Sequence, residues 1–111
     1  MIPMSSSIKF IDPNTLRNWT LNNQAVIYDV REPNEYKTLH IPGAILVPLS
    51  NFDPTVISAE TEKNIVIHCA SGIRCGVAAQ KLLKSGFSRQ IYRLSGGIDA
   101  WSKSGFSIVR D

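Results

Sequence analysis

The chain has 111 residues and a mass of 12.3 kDa, enough for one domain with a real core and too little for two ordinary ones. Its 43% hydrophobic and 19% charged residues, with 7 Gly and 6 Pro, exclude the disordered and fibrous classes. The net charge of +3 comes from 12 basic and 9 acidic residues scattered along the chain, without a basic run or interleaved aromatics, so no nucleic-acid partner is expected.

Met1 to Ser7 has neither the basic start nor the apolar core of a secretory signal, and no apolar run approaches the length needed to span a membrane. Residues 1–7 read as a flexible segment ahead of a single domain at 8–111, with no membrane partner and a cytoplasmic location by default. Ile8–Ile11 predicts a strand, and Asp12-Pro13 opens a helix as a cap followed by proline in the first turn. Leu16, Trp19 and Thr20 share one face of that helix. Ala25–Asp29 reads as a buried strand, Arg31–Lys37 as a short helical turn and His40-Ile-Pro-Gly43 as a turn. A third strand is expected at Ala44–Val47, then an irregular stretch with one helix in Asn51–Ser58.

Ile65–His68 predicts a strand and Gly76–Ser85 a helix, with apolar residues at 78, 79, 82 and 83 on one face and a stop at Gly86. Ile91–Leu94 gives a last strand, Ser95-Gly-Gly97 a break and Ile98–Ser104 a final helix with Trp101 on its buried side. Strands alternating with helices predict an α/β fold, a parallel sheet covered on both faces. Ligands of such sheets sit outside the carboxyl ends of the strands, which gathers Asp29, Cys69 and Ser95-Gly-Gly97 on one rim.

Cys69 follows a strand end and precedes a small loop, Arg74 and a helix. Backbone N–H groups at the loop, the positive end of the helix dipole and the arginine all favour thiolate over thiol, and the thiolate is the nucleophile. The competing reading is an inert buried thiol, since free cysteine is among the most buried residue types. Two cysteines six positions apart make neither a disulfide scaffold nor a zinc site.

The stretches Tyr28-Asp-Val-Arg-Glu-Pro-Asn-Glu-Tyr36, His40-Ile-Pro-Gly-Ala44, Cys69-Ala-Ser-Gly-Ile-Arg74, Gly86-Phe87 and Leu94-Ser-Gly-Gly-Ile-Asp-Ala-Trp101 carry a resemblance: the chain looks like a single-domain rhodanese of the sulfurtransferase type. The resemblance implies the rhodanese fold, a five-stranded parallel sheet flanked by helices on both faces. It implies that Cys69 takes a sulfane sulfur as a persulfide and passes it to a nucleophilic acceptor. Ala70, Ser71, Gly72, Ile73, Arg74 and Cys75 then supply the loop that cradles the sulfur, and Asp29 and Arg31 match a pair that supports it. The implied donor is a small anion such as thiosulfate, the acceptor cyanide or a thiol, on either side a protein or a small molecule, and no metal or organic cofactor is required.

Four residues separate Cys69 from Arg74, the spacing of the sulfurtransferases, whereas the related cysteine phosphatases and arsenate reductases have one more and a wider cradle. A non-catalytic binding module is the other rival reading. Arg74 is open between contacting the donor and pairing with Asp29 or Glu32. Gly72 is expected at positive φ, so that successive N–H groups converge. Cys75 stands where the family commonly has serine or threonine; packing at the helix start is preferred over a resolving thiol. His68 points away from Cys69 by strand alternation. His40 is expected to bond backbone in its turn, and Trp101 and Phe87 to pack in the core.

Overall fold

A computed structural model describes residues 7–110; apart from Ser7, the expected flexible segment lies outside the described residues. The elements follow in the order β1 (Ile8–Ile11), α1 (Pro13–Leu21), β2 (Ala25–Asp29), α2 (Pro33–Thr38), β3 (Ile45–Leu46), β4 (Asn64–His68), α3 (Arg74–Lys84), β5 (Ile91–Leu94) and α4 (Gly97–Lys103). The strands form one sheet in the order β1-β5-β4-β2-β3, every pairing parallel. The expected five-stranded α/β sheet is what forms.

Strand alternation sorts the core into two layers. Ile65, Ile67 and Cys69 face α3 and pack with Val30, Ala78, Ala79, Leu82 and Ile91. Val66 faces the other way, with Leu16 of α1, Leu94, and Ile98 and Trp101 of α4. Near-continuous apolar strands such as Ile65-Val-Ile67 are what a sheet covered on both faces requires. Among the described residues no helix is long and apolar enough to cross a membrane.

Local chemistry sets the boundaries. Asp12 caps α1 by accepting from the Thr15 amide at 2.8 Å, and Gly86 leaves α3 at φ +99°. His40 bonds backbone as expected, with Nδ1 2.9 Å from the Tyr36 carbonyl, and its ring stacks on Tyr36 at 3.9 Å. Trp101 is buried and donates to the Ser107 carbonyl at 2.8 Å, while Phe87 packs against the α3 layer.

The segment expected as a helical turn at 31–37 is Pro33–Thr38, β4 and α4 each begin one residue early, and three larger differences have a local cause. The strand expected at Ala44–Val47 is only Ile45–Leu46, because β2 ends at Asp29 and the Val47 amide takes the last carbonyl there, at 2.8 Å. The helix expected in 51–58 is two single 3-10 turns, Leu49–Asn51 and Pro54–Val56. Pro54 removes an amide and the Asp53 side chain captures the Thr55 amide at 3.0 Å, so no α-helical ladder can run through. The helix expected from Gly76 starts at Arg74, which puts Arg74 and Cys75 in its first turn.

Candidate active site

β4 carries Cys69 to the carboxyl edge of the sheet, and the chain then turns through Ala70–Ile73 into α3. Gly72 sits at φ +109°, a conformation open to glycine and strained for side chains, and its amide points at the Cys69 sulfur at 3.2 Å. Ser71 and Ile73 are exposed at the tip, Ile73 at 76%. The Ser71 hydroxyl bonds none of the described residues. Cys69 itself is only 1% exposed.

The Cys69 thiol is drawn down from its ordinary value of 9.0 to about 5. The largest cause is a hydrogen bond from the Cys75 side chain; burial opposes it, and the amides of Cys75, Gly72 and Arg74 add to it. Cys75 is pushed up in turn, first by that bond and then by its own burial. Cys75 is fully buried in the α3 layer, where packing was expected, and its thiol donates to the Gly72 carbonyl at 3.3 Å.

Arg74 pairs with neither Asp29 nor Glu32. It makes a bidentate contact with Glu35 of α2, Nη1–Oε1 2.7 Å and Nη2–Oε2 2.9 Å, and this guanidinium holds Glu35 well below the usual carboxylate range, at about 2. Two planar groups in this geometry fix the start of α3 against α2. The arginine side chain is thus engaged in tying two helices together beside the loop.

Asp29 and Arg31 stand behind the loop, both buried. Arg31 donates to Asp29 through Nε at 3.0 Å and Nη2 at 2.8 Å, and through Nη2 to the Leu39 carbonyl at 2.7 Å. His68 lies next to both: Nε2 is 3.6 Å from Asp29 Oδ2 and Nδ1 3.1 Å from the Cys69 carbonyl. It is fully buried, and burial lowers its pKa. Nε2 itself has no hydrogen-bond partner among the described residues, so His68 stands between the Asp29–Arg31 pair and the Cys69 carbonyl without a bonded relay to the pair.

Several contacts around the loop escape sequence reasoning. Arg93 of β5 donates from Nη2 to the Gly72 carbonyl at 2.7 Å and sets Nε 3.4 Å from Cys75 Sγ, with its guanidinium over the Phe10 ring. Gly76 makes room for it, since a Cβ there would lie 2.8 Å from Arg93 Nη2. The amides of Ile98 and Asp99 in the first turn of α4 donate to the Cys69 and Ala70 carbonyls at 2.9 and 3.0 Å. That approach needs Gly97, whose Cβ would collide with both carbonyls. An arginine within the apolar β5 run was the available signal for Arg93; Gly97 was expected on the Cys69 rim but not against its carbonyl, and Glu35 carried no individual signal.

A cleft of about 310 Å³ adjoins the loop at Ala70, lined by residues that include Arg31, Glu35 and Asp99. Among the described residues no three His, Cys, Asp or Glu side chains are grouped to hold a metal.

A rhodanese-like domain model matches residues 12–104, and the chain belongs to that family. The thiosulfate sulfurtransferase GlpE of Shewanella oneidensis is 32% identical over 99 residues, covering 89% of this chain and 97% of that one. The Synechocystis protein slr1261 is 35% identical over 100 residues, or 90% of this chain. The chain spans only 55% of that relative's length. Among solved structures, a rhodanese-related protein from Thermoplasma volcanium superposes with a TM-score of 0.80 at 26% identity, over 93% of this chain and 99% of that one.

Proposed function

We propose that the chain is a sulfurtransferase that carries a sulfane sulfur as a persulfide on Cys69. The observation that carries this reading is a cysteine at the strand edge with the Gly72 amide 3.2 Å from its sulfur, a setting that draws its thiol down to about 5. A thiolate of lowered pKa is both a nucleophile and a good leaving group, and sulfur transfer needs both. Cys69 attacks the outer sulfur of thiosulfate, the S–S bond breaks and sulfite departs with the electron pair. The amides of Gly72, Arg74 and Cys75 then stabilise the anionic persulfide. Cyanide or a thiol attacks the terminal sulfur and the Cys69 thiolate returns. In this reading Ala70, Ser71 and Ile73 shape the mouth, Asp29 and Arg31 hold the loop from behind, and a protein thiol or a small thiol serves as the cellular acceptor.

Intact-protein mass after incubation with thiosulfate tests the reading. A gain of about 32 Da early in the incubation of wild type, absent in Cys69→Ser and reversed by cyanide, is expected for a covalent sulfur carrier. Neither an adduct nor released sulfide at any time, with thiosulfate or with glutathione persulfide, overturns it. The 1% exposure of Cys69 is the observation that favours the rival reading, a binding module on the same fold. Resistance of Cys69 to iodoacetamide at neutral pH would speak for that rival.

A further inference from the structure

We infer that Cys75 is a resolving thiol, which attacks the inner sulfur of a Cys69 persulfide, releases the carried sulfur as sulfide and closes a Cys69–Cys75 disulfide. The inference rests on the sulfur-carrier reading and adds to it a second exit for the sulfur.

Position comes first. Both sulfurs sit on the peptide groups of Gly72: its N–H lies 3.2 Å from Cys69 Sγ, and Cys75 Sγ lies 3.3 Å from its carbonyl oxygen. Both side chains belong to the same buried cluster beneath the loop. Both cysteines are free. A nucleophile held on the same loop residue as its target needs no diffusional encounter, which is the largest advantage an intramolecular reaction has.

Access divides the chemistry between two routes. Cys69 is 1% and Cys75 0% exposed. The terminal sulfur of a persulfide extends beyond Cys69 Sγ toward the mouth, where cyanide or a thiol can take it. The inner sulfur stays in the wall of the core and can be reached only from inside, by Cys75. External acceptors therefore receive sulfur, and the internal thiol discharges it.

Arg93 supplies the switch between resting and loaded states. In the resting protein Cys75 donates to the Gly72 carbonyl, and the nearby Cys69 thiolate together with burial keeps it a thiol. Loading moves the negative charge one atom outward and removes that thiolate. What then faces Cys75 is the Arg93 guanidinium, 3.4 Å from its sulfur and anchored on the Gly72 carbonyl at 2.7 Å. A cation at that distance stabilises the thiolate that must form.

The step balances without an outside oxidant. The Cys75 sulfur bonds to Cys69 Sγ, the bond from Cys69 Sγ to the terminal sulfur breaks, and that sulfur leaves with the electron pair and the Cys75 proton as hydrosulfide. The Cys75 sulfur is oxidised and the terminal sulfur reduced. A dithiol reductant then restores the pair.

The test uses the full chain, reduced, desalted and kept anaerobic, with thiosulfate alone and no acceptor. The wild type is expected to release one sulfide per chain. Its mass falls from the loaded value, about 32 Da above the reduced chain, to about 2 Da below it, and peptide mapping finds a 69–75 disulfide. Cys75→Ser keeps a hydrogen-bond donor and loses the nucleophile, so it holds whatever sulfur it takes up and releases sulfide at least about tenfold more slowly. Arg93→Gln slows sulfide release from preloaded protein, whereas Arg93→Lys restores part of it. A wild-type adduct that persists without a 69–75 disulfide overturns the inference and leaves the carrier reading standing. Absence of any adduct, disulfide or sulfide in the wild type overturns both. Should Cys75→Ser not fold, the wild-type mapping decides alone.

Discussion

Burial raises a thiol pKa, and Cys69 ionises early only because a neighbouring thiol and three amides outweigh that burial. Removing one hydrogen bond to a charged group costs about 1.5–3 kcal/mol, or about one to two pH units. The alkylation rate of wild-type Cys69 should rise through an inflection near pH 5 and stay flat through neutrality. In Cys75→Ala that inflection should move up by about one to two pH units, while Cys75→Ser, which keeps a donor, stays near the wild type. Iodoacetamide rates between pH 4 and 9 measure this, and an unchanged inflection in Cys75→Ala contradicts the assignment. The nucleophile was legible in the sequence because strand, loop, arginine and helix are consecutive in the chain. Cys75 was not, because its influence depends on α3 starting at Arg74 rather than Gly76, which puts it in the first turn, against Cys69. Arg74 was misplaced for a related reason: Glu35 meets it across 39 positions of sequence, and no local pattern reports that meeting.

Elements bring the site together through their ends. β4 delivers Cys69, α3 delivers amides, and α4 clamps the loop from the other side through the Ile98 and Asp99 amides. The clamp depends on Gly97, which combines φ +60° with a position that admits no Cβ beside the Cys69 and Ala70 carbonyls. Gly97→Ala should cost about 2–4 kcal/mol, from left-handed backbone strain and the displaced carbonyls together, and should raise the Cys69 inflection by shifting the amide cradle. Denaturant titration and the alkylation profile measure the two effects; a variant of wild-type stability and profile would show that α4 approaches without constraint. The strands and the three longer helices were readable because apolar periodicity and caps are local. The Ser95-Gly-Gly97 break and its place on the Cys69 rim were readable; that Gly97 abuts the Cys69 and Ala70 carbonyls follows from β5 lying beside β4, a pairing between segments distant in sequence.

At the scale of the whole molecule the site's electrostatics become a dependence of stability on pH. Cys69 has a folded pKa of about 5 against an ordinary 9.0, so between those values the unfolded chain binds a proton that the folded chain does not. Its contribution is fully present above pH 9 and is lost as pH falls through 5. Buried His68 is also depressed, from an ordinary 6.5; it charges on unfolding, and its contribution is lost as pH falls below that value. Both slopes have the same sign. Stability in the presence of reductant should therefore climb from pH 5 toward pH 9 instead of peaking near neutrality, with a limit for one proton of about 1.4 kcal/mol per pH unit. Cys69→Ser removes the titrating thiol and should flatten the curve above pH 7, leaving the rise between 5 and 7 that belongs to His68. Urea midpoints of both proteins at half-unit intervals separate the two contributions. A wild-type curve already flat above pH 7 would mean that the thiolate is no better stabilised in the folded chain than in the unfolded one, and the cradle around Cys69 would then be shape without electrostatic consequence.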